Sequence, residues 1–372
     1  MIASWSKAAA LFALLLAWTP LHAQRTGTLV KAEIVANPPA GIRAWHIRYL
    51  TTDDRAHPIA VTGMVMAPSG RASGLRNVIA WTHGTSGVVE TCALSTNPRF
   101  FDVTPAVEAV RRGYVVVAPD YPGLGSAMPH PYLVGTATAR SVLDAVRAAR
   151  AIPAAAAGDR FAVWGESQGG HAALWTGQLA RDDAPELKLV GVAAAAPPTD
   201  LAGNFRQAAD PNAKAMLSAY AAYSWSRYYG VPLSIGRKST PGLITKMAHK
   251  CLNLDATPKL MTVLGILTLR RDLKGVDLPG LKPWSAYVAA NSTSPVSSVP
   301  ILIAQTGADP LVAPAVTRQF ARKLCTNRVR VRWIDLPGKD HATTAKQSAA
   351  ATLHWIDGRF AGAQASSDCG HI

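Results

Sequence analysis

The sequence predicts an α/β fold, in which a mostly parallel β-sheet carries helices on both faces and is interrupted by an inserted helical block. Three observations predict it. Short apolar runs of strand length alternate with amphipathic runs of helical period through residues 59–197. Most of the strand-type runs are continuously apolar, as parallel strands covered on both faces require. The alternation stops from about Asp200 to Ser298 and resumes at 299. With 372 residues, about half of them apolar, the chain can bury a sizeable core.

A leader comes first. Lys7 precedes the apolar run AAALFALLLAW, and Leu21-His22-Ala23 offers small residues for a cut before Gln24. That is the pattern of a secretory signal peptide over 1–23. A membrane anchor needs about 20 apolar residues; this run is shorter and is followed by Thr19-Pro20. An exported, secreted or periplasmic chain follows.

The core then reads as two parts, 24–200 and 299–372, around a cap at 201–298. IAVTGMVMAP (59–68) alternates like a half-buried strand, and NVIAWTHG (77–84) reads as a buried one. VEAVRRG (107–113) is a helix ended by Gly113, GYVVVAPDY (113–121) a β-branched strand, and TATARSVLDAVRAARAI (136–152) an amphipathic helix. The Ala-rich AIPAAAAG (151–158) reads as a loop. RFAVWG (160–165), HAALWTGQLA (171–180) and LVGVAAAAP (189–197) continue as strand, helix and strand. In the cap, AKAMLSAYAAYSWSRYYG and PKLMTVLGILTLRRDL read as helices. VPILIAQTG (299–307) and RVRVRWIDL (328–336) are the last strands, each followed by a helix. A helical block lodged between strands of one sheet is an insertion rather than a separate domain.

Four cysteines, Cys92, Cys251, Cys325 and Cys369, form an even set without a CxxC pair. In an oxidising destination this favours disulfides over zinc, with three connectivities open. His249-Lys250-Cys251 lacks the second ligand pair that a metal site needs, and no metal or cofactor is expected. The formal charge is +15, and loss of the leader removes Lys7 alone among the Lys, Arg, Asp and Glu residues, leaving +14. Such a field attracts anionic partners, lipid headgroups included. Its densest stretch, 318–332, scatters its charges over exposed faces. Nothing resembles a zinc finger, a helix-turn-helix or an aromatic RNA platform, so no nucleic acid is expected. Asn291-Ser292-Thr293 fits the short pattern of a glycosylation acceptor.

The chemistry centres on Gly165-Glu166-Ser167-Gln168-Gly169, a G-x-S-x-G sequence between a strand and a helix. In that context it is the nucleophile elbow of α/β hydrolases. Bulkier residues in place of the glycines would collide with the crossing strand and helix. The elbow lifts the Ser167 hydroxyl above the carboxyl edge of the sheet, at a helix N-terminus whose N–H groups can stabilise negative charge.

Serine needs a base and the base an orienting acid. Of the downstream histidines His249, His341, His354 and His371, only His341 follows a strand on a loop; His354 looks like a helix-face residue. Asp309 holds the same kind of position one strand earlier, in ILIAQTGADPLVAP. Asp335 and Asp340 are the other acids that could orient the base, and His171 reads as a packed residue of the elbow helix. Glu166 could tune the site. The oxyanion hole then takes one N–H from Gln168 and one from Thr85, in HGTSG, with Ser86 the runner-up and the Thr85 hydroxyl an extra donor. PDYPGLG (119–125) closes another loop at the same edge.

WTHGTSG, PDYPGLG, GESQGG, GADPLV and the final DH together resemble the secretory lipase family of α/β hydrolases, the fungal lipase-A type with bacterial relatives. The resemblance covers most of the mature chain. It implies a triad of Ser167, Asp309 and His341, a helical cap between nucleophile and acid, and disulfides Cys92–Cys251 and Cys325–Cys369. The eponymous fungal enzyme carries an acid in the oxyanion loop, where this chain has HGTSG. Met216, Leu217, Tyr220, Tyr223, Trp225, Tyr228 and Tyr229 form an aromatic belt in the cap, mostly for packing, with a fraction suited to a groove for an acyl chain. The expected activity is hydrolysis of acyl esters through an acyl-enzyme. Alternatives are a broad carboxylesterase or aryl esterase on soluble esters, a serine peptidase, and a catalytically silent surface-binding protein.

Overall fold

The computed structural model describes residues 26–252, 259–338 and 340–372. The expected signal peptide lies outside them. Nine strands form one sheet in the order β1-β2-β3-β5-β4-β6-β7-β8-β9. β1 (Leu29–Ile34), β2 (Ile42–Thr52) and β3 (Pro58–Pro68) form an antiparallel edge, and β3 meets β5 (Val115–Pro119) antiparallel. From there on, β5, β4 (Arg76–Thr82), β6 (Ala157–Glu166), β7 (Lys188–Ala195), β8 (Ile301–Thr306) and β9 (Val331–Leu336) are parallel. All parallel strands therefore end at one edge, where the site lies.

Two apolar layers explain why the central strands read as unbroken apolar runs. Val78 and Ala80 of β4 and Phe161 and Val163 of β6 face one layer; Ile79, Trp81, Ala162 and Trp164 face the other. The first is covered by α3 (Gly135–Arg150), α4 (Gln168–Asp183) and α10 (Pro314–Thr326), through Leu143, Leu174 and Phe320 among others. The second is covered by α2 (Val107–Arg111) and α11 (Thr344–Phe360), which contribute Val110, Leu353 and Ile356. A short α1 (Phe100–Val103) precedes α2. Alternation cannot show where both faces are dry.

Between β7 and β8 the described residues contain helices and no strand: α5 (Leu201–Gln207), α6 (Pro211–Tyr228), α7 (Thr240–Ala248), α8 (Leu260–Asp272) and α9 (Trp284–Asn291). Asp210 caps α6, its carboxylate accepting from the N–H groups of Asn212 and Ala213, and Pro211 occupies the first turn. These helices share their own apolar cluster, built on Tyr220, Trp225, Met247 and Trp284 and extended onto Val88 and Tyr132 of the sheet-edge loops. Burying each such aromatic side chain contributes roughly 1.5–3 kcal/mol. Most of the aromatic belt is thus packing.

Three local readings change. The segment read as a loop at 151–158 contains a 3-10 turn (Pro153–Ala155), and β6 already begins at Ala157. β1 and β2 are strands that the sequence pass did not assign. Asn291 is buried, and its amide donates to Tyr229 Oη and Tyr287 O, each at 2.9 Å, so the folded chain presents no glycan acceptor there.

Candidate active site

β6 ends at Glu166 and α4 begins at Gln168, leaving Ser167 alone on the turn with φ 54° and ψ −120°. A residue with a Cβ is strained there. Two backbone bonds hold it: Ser167 N–H donates to Ala195 O at 2.8 Å, and its carbonyl accepts from His171 N at 3.0 Å. A Cβ on Gly165 would overlap Thr82 Oγ1 and the Gly169 carbonyl, and one on Gly169 would overlap the Thr82 carbonyl. The glycines are therefore required by the approach of β4 and by each other. His171 is a buried core residue whose Nε2 lies 2.7 Å from Asn291 O.

The loops after β8 and β9 meet. Asp309 Oδ2 and His341 Nδ1 are 2.7 Å apart, both buried. The carboxylate is held by further donors: Leu311 N and Val312 N reach Oδ1 at 2.8 and 2.9 Å, and Gln305 Nε2 reaches Oδ2 at 3.1 Å. Burial works against a charged imidazole, but the Asp309 carboxylate outweighs it and holds the His341 pKa above the ordinary histidine value. The rival acids sit elsewhere. Asp335 pairs with Arg318 at 2.8 Å, and Asp340 caps its own turn through Ala342 N and Thr343 Oγ1. His249, His354 and His371 are exposed.

Glu166 links this loop to the elbow. Its Oε1 accepts from Ala345 N at 2.9 Å, four residues beyond His341, and burial pushes its pKa up to about 7. Ser167, Leu311 and Val312 line one small apolar cleft with Gln168 and Tyr132.

On the other side of Ser167 lies the loop after β4. A Cβ on Gly84 would stand 3.7 Å from Ser167 Cβ, which brings Thr85 beside the elbow. Gln168 N–H, in the first turn of α4, has no acceptor within its helix, and Thr85 N–H has no backbone acceptor among the described residues. The Thr85 hydroxyl is 3.0 Å from Tyr132 Oη, while Ser86 Oγ donates to Cys92 O and Ser86 O accepts from Leu252 N, each at 2.7 Å. Ser86 thus ties the loop to the cap. Cys92–Cys251 does the same covalently, and Cys325–Cys369 fastens α10 to the C-terminal tail.

Residues of the PDYPGLG loop brace the arrangement from behind. Tyr121 Oη donates to His83 O at 2.9 Å. Asp120 accepts from Ser95 N and Oγ at 2.7 and 2.6 Å and from Thr62 Oγ1 at 2.8 Å. The sequence reading missed His130, Tyr132 and Gln305. Burial lowers the His130 pKa to about 4, so the ring is neutral. It donates from Nδ1 to Pro122 O at 2.7 Å and accepts at Nε2 from the Gln168 amide at 3.1 Å. The one local signal was the stiff Pro129-His130-Pro131-Tyr132 run.

The chain is similar to known proteins over most of its length. The sequence profile of the secretory lipase family matches residues 90–228 and 281–368. Lipase 5 of Candida albicans is 27% identical over 277 residues, a match covering 70% of this chain and 58% of that protein. A probable inactive lipase of Mycobacterium tuberculosis is 24% identical over 357 residues, covering 87% of this chain and 75% of that protein. Among solved structures, Candida antarctica lipase A superposes with a TM-score of 0.77 at 19% identity, covering 93% of this chain and 84% of that one. A rice cell wall degrading esterase of Xanthomonas oryzae gives 0.72 at 20% identity, covering 90% and 100%. The chain has the α/β-hydrolase fold and belongs to the secretory lipase family.

Proposed function

We propose that the protein is a secreted serine carboxylic ester hydrolase of lipase type, acting through Ser167, His341 and Asp309. The observation that carries this reading is the 2.7 Å Asp309–His341 contact on loops at the sheet edge where Ser167 occupies its strained turn. Asp309 accepts the Nδ1 proton and fixes the tautomer, leaving His341 Nε2 to take the Ser167 proton as Oγ attacks the ester carbonyl. The N–H groups of Gln168 and Thr85 hold the oxyanion. Collapse expels the alcohol, protonated by His341, and water activated by the same imidazole releases the acid. No cofactor enters these steps. The leader, cut near Ala23, and the two disulfides support an extracellular or periplasmic setting.

Ser167→Ala decides. Hydrolysis of p-nitrophenyl butyrate should fall by about 10⁴-fold or more with the fold unchanged by circular dichroism; retained activity would refute the nucleophile. The probable inactive relative favours a second reading, a silent scaffold. Wild-type protein that cleaves no ester would establish it.

Lipid esters are the proposed substrates because α8 exposes Leu260, Met261, Leu264 and Leu267 to solvent in a basic chain, a surface suited to a lipid–water interface. Rates on esters of graded chain length, below and above their solubility limit, separate the two classes. A jump at the interface means lipase, and its absence an esterase on soluble esters.

A further inference from the structure

The geometry points to a second recognition site in the cap, for the anionic end of an amphiphilic ester whose carbonyl lies at Ser167; it rests on the esterase reading above. The space at Ser167 itself is narrow, about 40 Å³, and walled by apolar side chains such as Leu201, Leu217 and Val312. It accepts a small group only. Phe205 and Lys214 line this space and also line a far larger cavity of about 850 Å³ among α5, α6 and α8. A cavity of that size is in the range that holds a drug-sized ligand. The two spaces adjoin across Phe205 and Lys214, and the proposal places the bulk of a larger ester beyond these side chains, in the cap.

The cap cavity has two chemistries. Ala215, Ile235 and Leu278 are buried and give it an apolar floor suited to hydrocarbon. Five cations line it, Arg206, Lys214, Arg270, Arg271 and Lys274, against one carboxylate, Asp277. Arg206 is satisfied by Asp277 at 3.0 and 2.9 Å, and Arg271 by Asp272 at 3.0 Å. Lys214, Arg270 and Lys274 have no carboxylate at ion-pair distance among the described residues. Lys214 Nζ reaches only the Arg206 carbonyl at 3.2 Å, and Arg270 only Asn212 Oδ1 at 3.5 Å. Lys214 feels the Asp277 charge without contact, but the lining keeps five cations against that one carboxylate, and with an apolar floor this selects an amphiphile ending in phosphate or carboxylate.

The test separates binding from turnover by using the Ser167→Ala protein. Calorimetric titration at low salt, below micelle formation, compares decyl phosphate, decyl hydrogen succinate and decyl glucoside, which share a chain and differ in the head. At least one anion should bind about tenfold tighter than the glucoside, as a few partly exposed ion pairs allow, and the tighter of the two identifies the anion. Salt at 0.5 M should erase most of the difference. Arg270→Gln with Lys274→Gln should weaken that anion about threefold to fivefold and narrow its advantage over the glucoside. Equal affinity for all three, no binding, or an anion preference untouched by the double substitution would overturn the site. Because no bond is cleaved, any of these results leaves the Ser167 reading to its own assay.

Discussion

The carboxyl edge of the sheet and the helical cap tolerate change to different degrees, and the difference separates chemistry from selectivity. At the edge, backbone meets backbone. Gly169 has no room for a Cβ beside the Thr82 carbonyl, Ser167 is pinned by bonds on both sides, and the Asp309 carboxylate is held by four donors from three segments of loop and strand. In the cap, side chains meet side chains, and α8 leaves Leu260, Met261, Leu264 and Leu267 in solvent. Backbone contacts cannot be repacked, whereas side-chain contacts can. A family can therefore keep one reaction while varying what reaches it.

A matched pair of glycine substitutions gives that contrast its sharpest trial. Gly169→Ala should destabilise the protein by more than about 4 kcal/mol, because rigid carbonyls have to move. Gly242→Ala, in the first turn of α7, meets nothing within 4 Å among the described residues and should stabilise by about 0.5–1 kcal/mol. Urea unfolding midpoints measure both. A Gly169→Ala midpoint equal to wild type would break the comparison.

The disulfides sharpen it next. Each joins distant segments, and replacing either pair by serine should lower stability by about 2–4 kcal/mol. Only Cys92–Cys251 borders the Thr85 loop, which Leu252 N also holds through Ser86 O at 2.7 Å. Cys92→Ser/Cys251→Ser should therefore reduce kcat on a short soluble ester by about tenfold, by loosening the loop that carries the proposed oxyanion donor, while Cys325→Ser/Cys369→Ser leaves kcat near wild type. Equal kcat in the two variants would show that the cap does not support the edge.

The same divide governs what the sequence made legible. β4 to β8 appear as apolar runs because strands dry on both faces need them, β9 as an alternating edge strand, and the elbow because two glycines are forced by one backbone crossing. β1 was hidden because five of its six residues are exposed, so no apolar pattern marks it. β2 was hidden because Arg43, His46 and Arg48 interrupt its buried positions. Tyr132, His130 and Gln305 act through single bonds to Thr85, Gln168 and Asp309. The first two of those bonds span about forty residues each, and no local spacing encodes them.

Glu166 stands at the junction of the two regimes, a half-buried carboxyl at the elbow that is able to titrate. Its folded pKa of about 7 lies above the unfolded value of 4.5, so folding favours the protonated form. The stability this gives is full below pH 4.5 and is lost as pH rises to about 7, a span of roughly 3 kcal/mol. Glu166→Gln keeps an acceptor for Ala345 N but cannot ionise. Its stability relative to wild type should therefore grow by up to about 3 kcal/mol between pH 4 and pH 8, read as urea midpoints at the two values. The ionised carboxylate also favours the charged imidazole of His341, the form that cannot serve as the proposed base. Losing it should move the acid limb of kcat/KM to lower pH. A stability difference that is the same at both pH values, with an unmoved acid limb, would mean that Glu166 keeps its unfolded pKa of 4.5 in the folded protein and that the elbow is well hydrated.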